Sequence, residues 1–385
     1  MNLRWLLMTE SFLATVVLPG ANLGTHSITI SDGVIVGLEP IEGSADLIAF
    51  PGLADIHTHG AAGESFPSSD LPGCLAAARH HRSNGSTTLL ASTVSLPAER
   101  LLPQLRLLAD AVDLEAIDGI HAEGPFINSC RCGAQDPAAI IPGDPDLLQR
   151  MIEAARGNLR SITFAPETAH VHELIDICAD NNVIVSLGHT DAAAAETAAT
   201  IAYAVKRGAS VTATHLFNAM PPLHHRSPGA VAALLEAAAA GEATVELIAD
   251  GVHLDDATVA MVLSLVGAEH VTFVSDAMAA AGKADGQYTL GALDVTVADG
   301  VARLTTSDGS EGAIAGGTSR VIDQLRRQAR AGHPLAEILQ ACTSGHRLVG
   351  RPHRATIELN SPANFILCDS NLQITRVFRE AKEVG

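Results

Sequence analysis

Aromatic side chains are scarce in this chain: Trp, Tyr and Phe together make up 3% of residues, with one Trp and two Tyr. A core without large rings must be closed by many small aliphatic contacts, and at 47% hydrophobic residues the sequence has the material for them. Basic residues are also few. Lys and Arg number 24 against 43 Asp and Glu, a formal net charge of −19. That balance argues against a general nucleic-acid surface, which needs a basic footprint, and any anionic ligand would have to be held by a local site. Cysteine supplies no framework. Cys74, Cys130, Cys132, Cys178, Cys342 and Cys368 contain no CxxC pair and no zinc-ribbon spacing, so they read as reduced thiols of a cytoplasmic protein. No apolar run of about 18 residues is free of charges and breakers, so no membrane span is expected. The opening "MNLRWLLMTESFLATVVLPG" has its apolar run broken by Thr9, Glu10 and Ser11 and leads into strand-like sequence, which argues against a cleaved leader.

What is present from residue 50 onward is a regular alternation of short apolar runs, polar turns and alanine- or leucine-rich helical stretches. Candidate strands fall near 50–56, 86–92, 117–122, 160–165, 183–188, 211–214, 244–249 and 270–275. Short, fully apolar strands alternating with helices predict a parallel barrel of the (β/α)8, TIM-like kind, buried on both faces. A doubly wound open sheet is the alternative. The two ends of the chain differ. "HSITISDGVIVGLEP" and "ATIELNSPANFILCDSNLQITRVF" alternate as strands do and carry turn signals at Asp32-Gly33 and Ser370-Asn371. They predict a small β-sandwich domain assembled from residues 1–50 and 344–385 around a barrel at 51–343, with a β insert near 285–308.

In such a barrel, chemistry sits at the C-terminal ends of the strands. There the sequence places "DIHTHG" with His57 and His59, "IHAEGPF" with Glu123, "VSLGHT" with His189, "TATHLFNAM" with His215 and "VTFVSDAM" with Asp276. The two-residue period of a strand puts His57 and His59 on one face. Any one of these histidines is more simply a hydrogen-bonded structural residue, and a lone Glu-Gly or Ser-Asp is usually a cap or a turn. Six at five strand ends are not explained that way. Their nitrogen and oxygen donors suit a divalent metal, zinc first and iron second. The pairs His80/His81 and His224/His225 are read as surface or helix residues.

The stretches "PGLADIHTHG", "HAEGPFIN", "LGHT", "THLFNAM", "RSPG", "IADGVH" and "VSDA", spread from residue 51 to 277, together resemble the N-acetylglucosamine-6-phosphate deacetylases of the amidohydrolase superfamily. The resemblance implies metal-dependent hydrolysis of the acetamide of N-acetyl-D-glucosamine 6-phosphate. It implies a principal metal on Glu123, His189 and His215 and a second position at His57 and His59, so one or two ions per subunit. Many superfamily relatives bridge two metals with a carboxylated lysine from strand four. The three lysines here are Lys206, Lys283 and Lys382, and "SITFAPE" has none, which leaves Glu123 for that role. By the same resemblance Asp276 is the catalytic base, His253 of "ADGVH" contacts substrate, and Asn218 and Ala219 contact the phosphate. The resemblance also implies that Arg226 reaches the neighbouring site of a homodimer and that Ile314 lines the pocket.

The chain departs from the pattern at "INSCRCGAQDP", where relatives commonly carry Lys-Lys-Gly-Ala/Thr-His. Arg131, Cys132 and Gln135 stand there instead. Gln135 is expected to hydrogen-bond a sugar hydroxyl, and Cys132 is read as an inert loop thiol. Two other functions compete: another amidohydrolase, acting on a different N-acyl amino sugar or a cyclic amide, and a non-catalytic metal and sugar-phosphate binder, in which Asp276 would have no task.

Overall fold

The computed structural model describes residues 9–307 and 310–384. The expectations for 1–8, for 308 at the end of the β insert and for 385 lie outside the described residues.

Eight parallel strands form one sheet in chain order: Leu53–Asp55, Ser86–Thr93, Gly119–Glu123, Leu159–Phe164, Ile184–Leu187, Val211–Ala213, Thr244–Leu247 and Val271–Phe273. Nearly every residue of these strands is buried, as expected of a parallel sheet covered by helices outside and packed with side chains inside. The architecture is therefore the (β/α)8 barrel. Its seam closes just beyond the strand ends, where Asp276 N donates to His57 O (2.9 Å) and His59 N donates to Ala277 O (2.7 Å). The closure thus joins the two segments that carry His57, His59 and Asp276.

Local sequence explains the helices between the strands. Asp70 caps Leu71–Ser83 by accepting from Gly73 N (3.0 Å), and Asp144 caps Pro145–Ala154 by accepting from Leu147 N (3.0 Å). Helix Leu335–Leu348 lies against the first strand so closely that a Cβ at Gly345 would sit 2.9 Å from Ala54 Cβ and Ile56 Cγ2. Only glycine fits there. From the same helix, His346 bonds Gly52 O (2.7 Å) and Thr88 Oγ1 (2.8 Å).

The two ends of the chain build a second, seven-stranded sheet. Thr9–Leu18, Ala21–Ser31, Val34–Pro40 and Leu47–Pro51 join Phe365–Cys368, Ile374–Arg379 and Lys382–Glu383. Leu47–Pro51 is central: it runs parallel to the first of these strands and antiparallel to Phe365–Cys368 before leading into the barrel. Asp32-Gly33, with φ of 50° and 78°, makes the tight turn its dipeptide demands. A three-stranded insert, Gly286–Leu290, Leu293–Ala298 and Val301–Leu304, comes after the last barrel strand.

At the N-terminal end of the barrel, a buried ion cluster ties the two sheets together. The Asp118 carboxylate meets Arg354 Nη1 (2.7 Å), Arg379 Nη2 (3.2 Å) and Arg82 Nη2 (3.4 Å), and it also accepts from Leu89 N (3.0 Å). Burial alone would raise the Asp118 pKa, but the three guanidinium groups outweigh it and hold it at about 2. Removing the carboxylate leaves buried cations uncompensated, so Asp118→Ala should lose about 3–5 kcal/mol of stability in urea unfolding. Because the folded pKa is depressed, the contribution is complete above the ordinary carboxylate range and is lost as pH falls through about 2. Wild-type stability should therefore drop on acidification towards that pH, and that of Asp118→Ala should drop less.

Candidate active site

The barrel brings the six strand-end residues into one buried cluster. His189 and His215 each place Nε2 2.9 Å from Glu123 Oε1, and the two nitrogens lie 3.2 Å apart. On the other side, His59 Nε2 lies 3.2 Å from Glu123 Oε2 and 3.1 Å from Asp276 Oδ1. His57 Nε2 lies 3.3 Å from His59 Nε2, 3.6 Å from Glu123 Oε1 and 3.5 Å from Asp276 Oδ1. Two three-residue groups could each hold a metal ion: His57, His59 and Glu123, and Glu123, His189 and His215. They share Glu123, so its carboxylate stands where a bridging ligand would.

Backbone shape contributes to this aim. His189, His215 and Asp276 adopt φ of 48°, 27° and 45°, a left-handed conformation that costs non-glycine residues energy and recurs at functional sites. Each sits just after a strand that ends in the barrel wall, and the turn directs its side chain into the mouth.

Charge in the cluster is closely matched. Burial works against an imidazolium at His57, but Asp276, Glu123 and Glu246 outweigh it and push its pKa up to about 10. At His59 burial is again opposed, by Asp276 and Glu123, and the pKa rises to about 8. Burial would raise the carboxyl of Asp276, yet His57 and His59 hold it at about 2. Glu123 is likewise driven well below the usual range, against burial, by His189 and His57. The carboxylates demand positive charge at the meeting point of the Nε2 atoms. A divalent cation supplies that charge while releasing the protons, so the donor set fits a metal.

A cavity of about 220 Å³ opens onto the cluster. Asn218, Ala219, His253 and Ile314 line it beside His59, Glu123, His189, His215 and Asp276. His253 Nδ1 is fixed by Asp250 Oδ2 at 2.9 Å. Gln135 also lines the cavity, but its amide is engaged within the protein: Nε2 donates to Glu123 Oε2, and Oε1 accepts from Ser95 N. The expected sugar contact would require it to leave those partners. Arg131 pairs with Asp191 at 2.7 Å, while its carbonyl holds His189 Nδ1 at 2.8 Å. Cys132 is a half-buried free thiol on the same loop. Arg226 is not brought to the cavity of its own chain; it is exposed, and its backbone N–H donates to His224 Nδ1 at 3.3 Å.

Three residues around the site escaped the sequence reading. His121 is fully buried in mid-strand, bonded to Ser92 Oγ and Thr163 Oγ1 at 2.9 Å each, with its ring edge-on to His57 at 4.4 Å. Glu246 is buried against His57 Nδ1 at 3.0 Å; a charge inside the apolar strand "TVEL" was its available signal. His81, read as a surface or helix residue, lies on the helix Leu71–Ser83 and is fully buried, because that helix turns it under the first strand end. There its Nε2 meets Thr58 Oγ1 (3.2 Å) and Gly60 O (3.1 Å), bracing the segment that carries the two ligand histidines.

Comparison with known proteins agrees with this geometry. The amidohydrolase family model matches residues 48–384, and the chain belongs to that family. Within it, the chain is similar to N-acetylglucosamine-6-phosphate deacetylases. The Bacillus subtilis enzyme is 33% identical over 296 residues, covering 74% of this chain and 71% of that one. An N-acetylgalactosamine-6-phosphate deacetylase of Escherichia coli O157:H7 is 30% identical over 92% of this chain and 94% of its own. Among solved structures, a mutant N-acetyl-D-glucosamine-6-phosphate deacetylase of Mycobacterium smegmatis, in complex with N-acetyl-D-glucosamine-6-phosphate, superposes with a TM-score of 0.87 at 34% identity. That match covers 97% of this chain and 99% of the other.

We expect the group Glu123, His189 and His215, whose members follow three different strands, to hold the tighter ion. His189→Asn or His215→Asn should strip the ion held with Glu123 and abolish activity with it. Replacing His57 and His59 together should remove at most the other ion. Elemental analysis decides: full metal content in His215→Asn would overturn this assignment.

Proposed function

We propose that the chain hydrolyses the acetamide of N-acetyl-D-glucosamine 6-phosphate to D-glucosamine 6-phosphate and acetate, serving amino-sugar catabolism and cell-wall sugar recycling. The observation that carries the reading is the Glu123 carboxylate shared by two histidine pairs, with Asp276 facing the same point at the floor of a cavity. A pure binder needs the ligands but has no use for an ionised carboxylate beside them.

Glu123, His189 and His215 would hold the principal ion, and His57 and His59 the second, with zinc preferred over iron by this donor set. When bound, a divalent ion lowers the pKa of water from 15.7 to roughly 7 and polarises a carbonyl. Asp276 is ionised at neutral pH, and in this reading it accepts the proton of the attacking water. It then returns that proton to the amine nitrogen as the C–N bond breaks and acetate forms. His253, locked by Asp250 so that one ring nitrogen is occupied, is available through the other to hydrogen-bond the sugar or its acyl oxygen.

The phosphate needs a cation, and none of the described residues lining the cavity is Lys or Arg. Asn218 and the backbone of Ala219 offer neutral donors. We assign the missing charge to Arg226, donated by the second subunit of a homodimer. Its guanidinium pairs with no described residue of its own chain and belongs to the exposed segment 222–227. Free cysteines throughout the chain fit a reducing, cytoplasmic compartment, and no helix among the described residues is long and apolar enough to cross a membrane. Acetate release from N-acetylglucosamine 6-phosphate by metal-loaded protein tests the reading directly. Faster release from the galactosamine epimer would move the chain towards the activity its Escherichia coli relative is named for.

Two substitutions test the assigned roles. Asp276→Asn keeps the volume but removes the proton acceptor, so turnover should fall roughly 10²–10⁴-fold while substrate binding survives. Near-normal turnover with the metal in place would show that Asp276 is not the base. For Arg226, a charge-assisted bond contributes ~1.5–3 kcal/mol. At a tenfold change per 1.36 kcal/mol, Arg226→Ala should lower kcat/KM for the phosphorylated substrate by roughly 10- to 150-fold. The unphosphorylated sugar should be barely affected. Mixing Arg226→Ala with Asp276→Asn subunits should restore one good site per mixed dimer, since the intact base then receives its arginine from the partner. Mixed dimers that form without recovering activity would place Arg226 within its own site.

A further inference from the structure

Glu246 lies on the strand Thr244–Leu247, 1% exposed, with no Lys or Arg paired to it among the described residues. It does not line the cavity, so it cannot touch a substrate there. A buried carboxylate with no Lys or Arg beside it is costly unless hydrogen bonds compensate it. One of its two oxygens, Oε2, takes two of them, from His57 Nδ1 at 3.0 Å and from the backbone N–H of His215 at 3.1 Å. His57 belongs to one three-ligand group and His215 to the other.

The two bonds act differently. At His57, the carboxylate keeps a proton on Nδ1, so that when the ring gives up its other proton to a metal it is the Nε2 lone pair that faces His59, Glu123 and Asp276. That fixes tautomer and ring orientation together and raises ligand basicity. At His215, the ring has no such anchor, because its Nδ1 is buried without a partner. Its aim therefore depends on its backbone, held in the left-handed conformation at φ 27°. Glu246 secures that turn twice: its side chain accepts from His215 N, and its own carbonyl accepts from Leu216 N at 2.9 Å.

We propose that Glu246 is a positioning residue that couples the two metal positions, setting the tautomer of His57 and the backbone of His215 through one carboxylate oxygen. This rests on the metal-dependent reading above. The coupling makes occupancy of the His57/His59 position the more sensitive of the two, since there the imidazole itself is bonded to Glu246.

The test uses Glu246→Gln and Glu246→Leu in the full-length protein, with metal content by elemental analysis and affinities by chelator competition. Glu246→Gln keeps an acceptor oxygen without its charge. It should retain the principal ion and bind the second roughly 10- to 100-fold more weakly. Glu246→Leu, which keeps no acceptor, should lose the second ion and weaken the first. In cobalt-loaded protein, the visible spectrum of the second site should shift in Glu246→Gln, and kcat should fall with KM unchanged. Should Glu246→Leu fail to fold, Glu246→Gln still decides. Wild-type affinities and spectrum in Glu246→Gln would overturn the proposal, as would both ions retained in folded Glu246→Leu. A wild-type protein that binds no ion at all would instead overturn the metal reading beneath it.

Discussion

The strand Gly119–Glu123 begins one residue after a buried carboxylate and ends on another, and the rest of the molecule is arranged around compensating the pair. Asp118 at the foot is met by three guanidinium groups; Glu123 at the head is met by imidazoles. The difference in partner decides the difference in use. Arginine stays charged under all ordinary conditions, so the lower cluster is a permanent clamp, drawing Arg354 and Arg379 from the C-terminal segment onto the barrel floor. Histidine can give up its proton and offer a lone pair. The upper cluster is therefore exchangeable: protons on the imidazoles, or a metal ion among them, satisfy the same negative charge.

This polarity explains why the terminal sheet matters to a site it does not line. Leu47–Pro51, at the centre of that sheet, continues into the strand Leu53–Asp55, which leads directly to His57 and His59. The barrel closes through backbone bonds between the His57–His59 segment and Asp276–Ala277. His57, His59 and Asp276 thus meet at the seam, where the first and last strands are held together by the site's own backbone. His81 and Asp55 brace the segment from inside. Asp55 accepts from Ser275 N at 3.1 Å, and His81 sits 3.7 Å from its other oxygen. Burial pushes Asp55 up to about 6 and His81 down to about 4. They act as hydrogen-bonding struts, with burial disfavouring charge on both.

The barrel and the strand-end residues are readable from sequence because both obey periodic rules. Strand-length apolar runs alternate with helical stretches, and donors fall at the position after each run. Glu246 and His121 obey no such rule. They point into the barrel from mid-strand, and what they bond is set by strand pairing and stagger, which a linear pattern does not contain. His81 misleads for a related reason. On the helix Leu71–Ser83 it reads as one of several polar residues in the last turn, and only the packing of that helix under the first strand end buries it. Gln135 shows the reverse. Its position in the chain suggests a group open to substrate, but the loop folds its amide back onto Glu123.

The acidity of the chain adds a constraint on how an anion is captured. With a net charge of −19, the protein repels an incoming phosphate at long range, and salt screens that repulsion beyond about 10 Å. Attraction must therefore come from close, fixed donors. Within one subunit the cavity offers imidazoles, amides and backbone, and Arg131, on the loop that supplies Gly133 to its wall, is turned onto Asp191. Keeping a permanent cation off the cavity wall has a benefit, because a guanidinium beside Glu123 and Asp276 would compete with a metal for the same carboxylates. A phosphate arginine is better delivered from outside, at the distance set by the sugar ring. On the proposed reading, Arg226 of a second subunit would do that without placing its charge among the buried carboxylates.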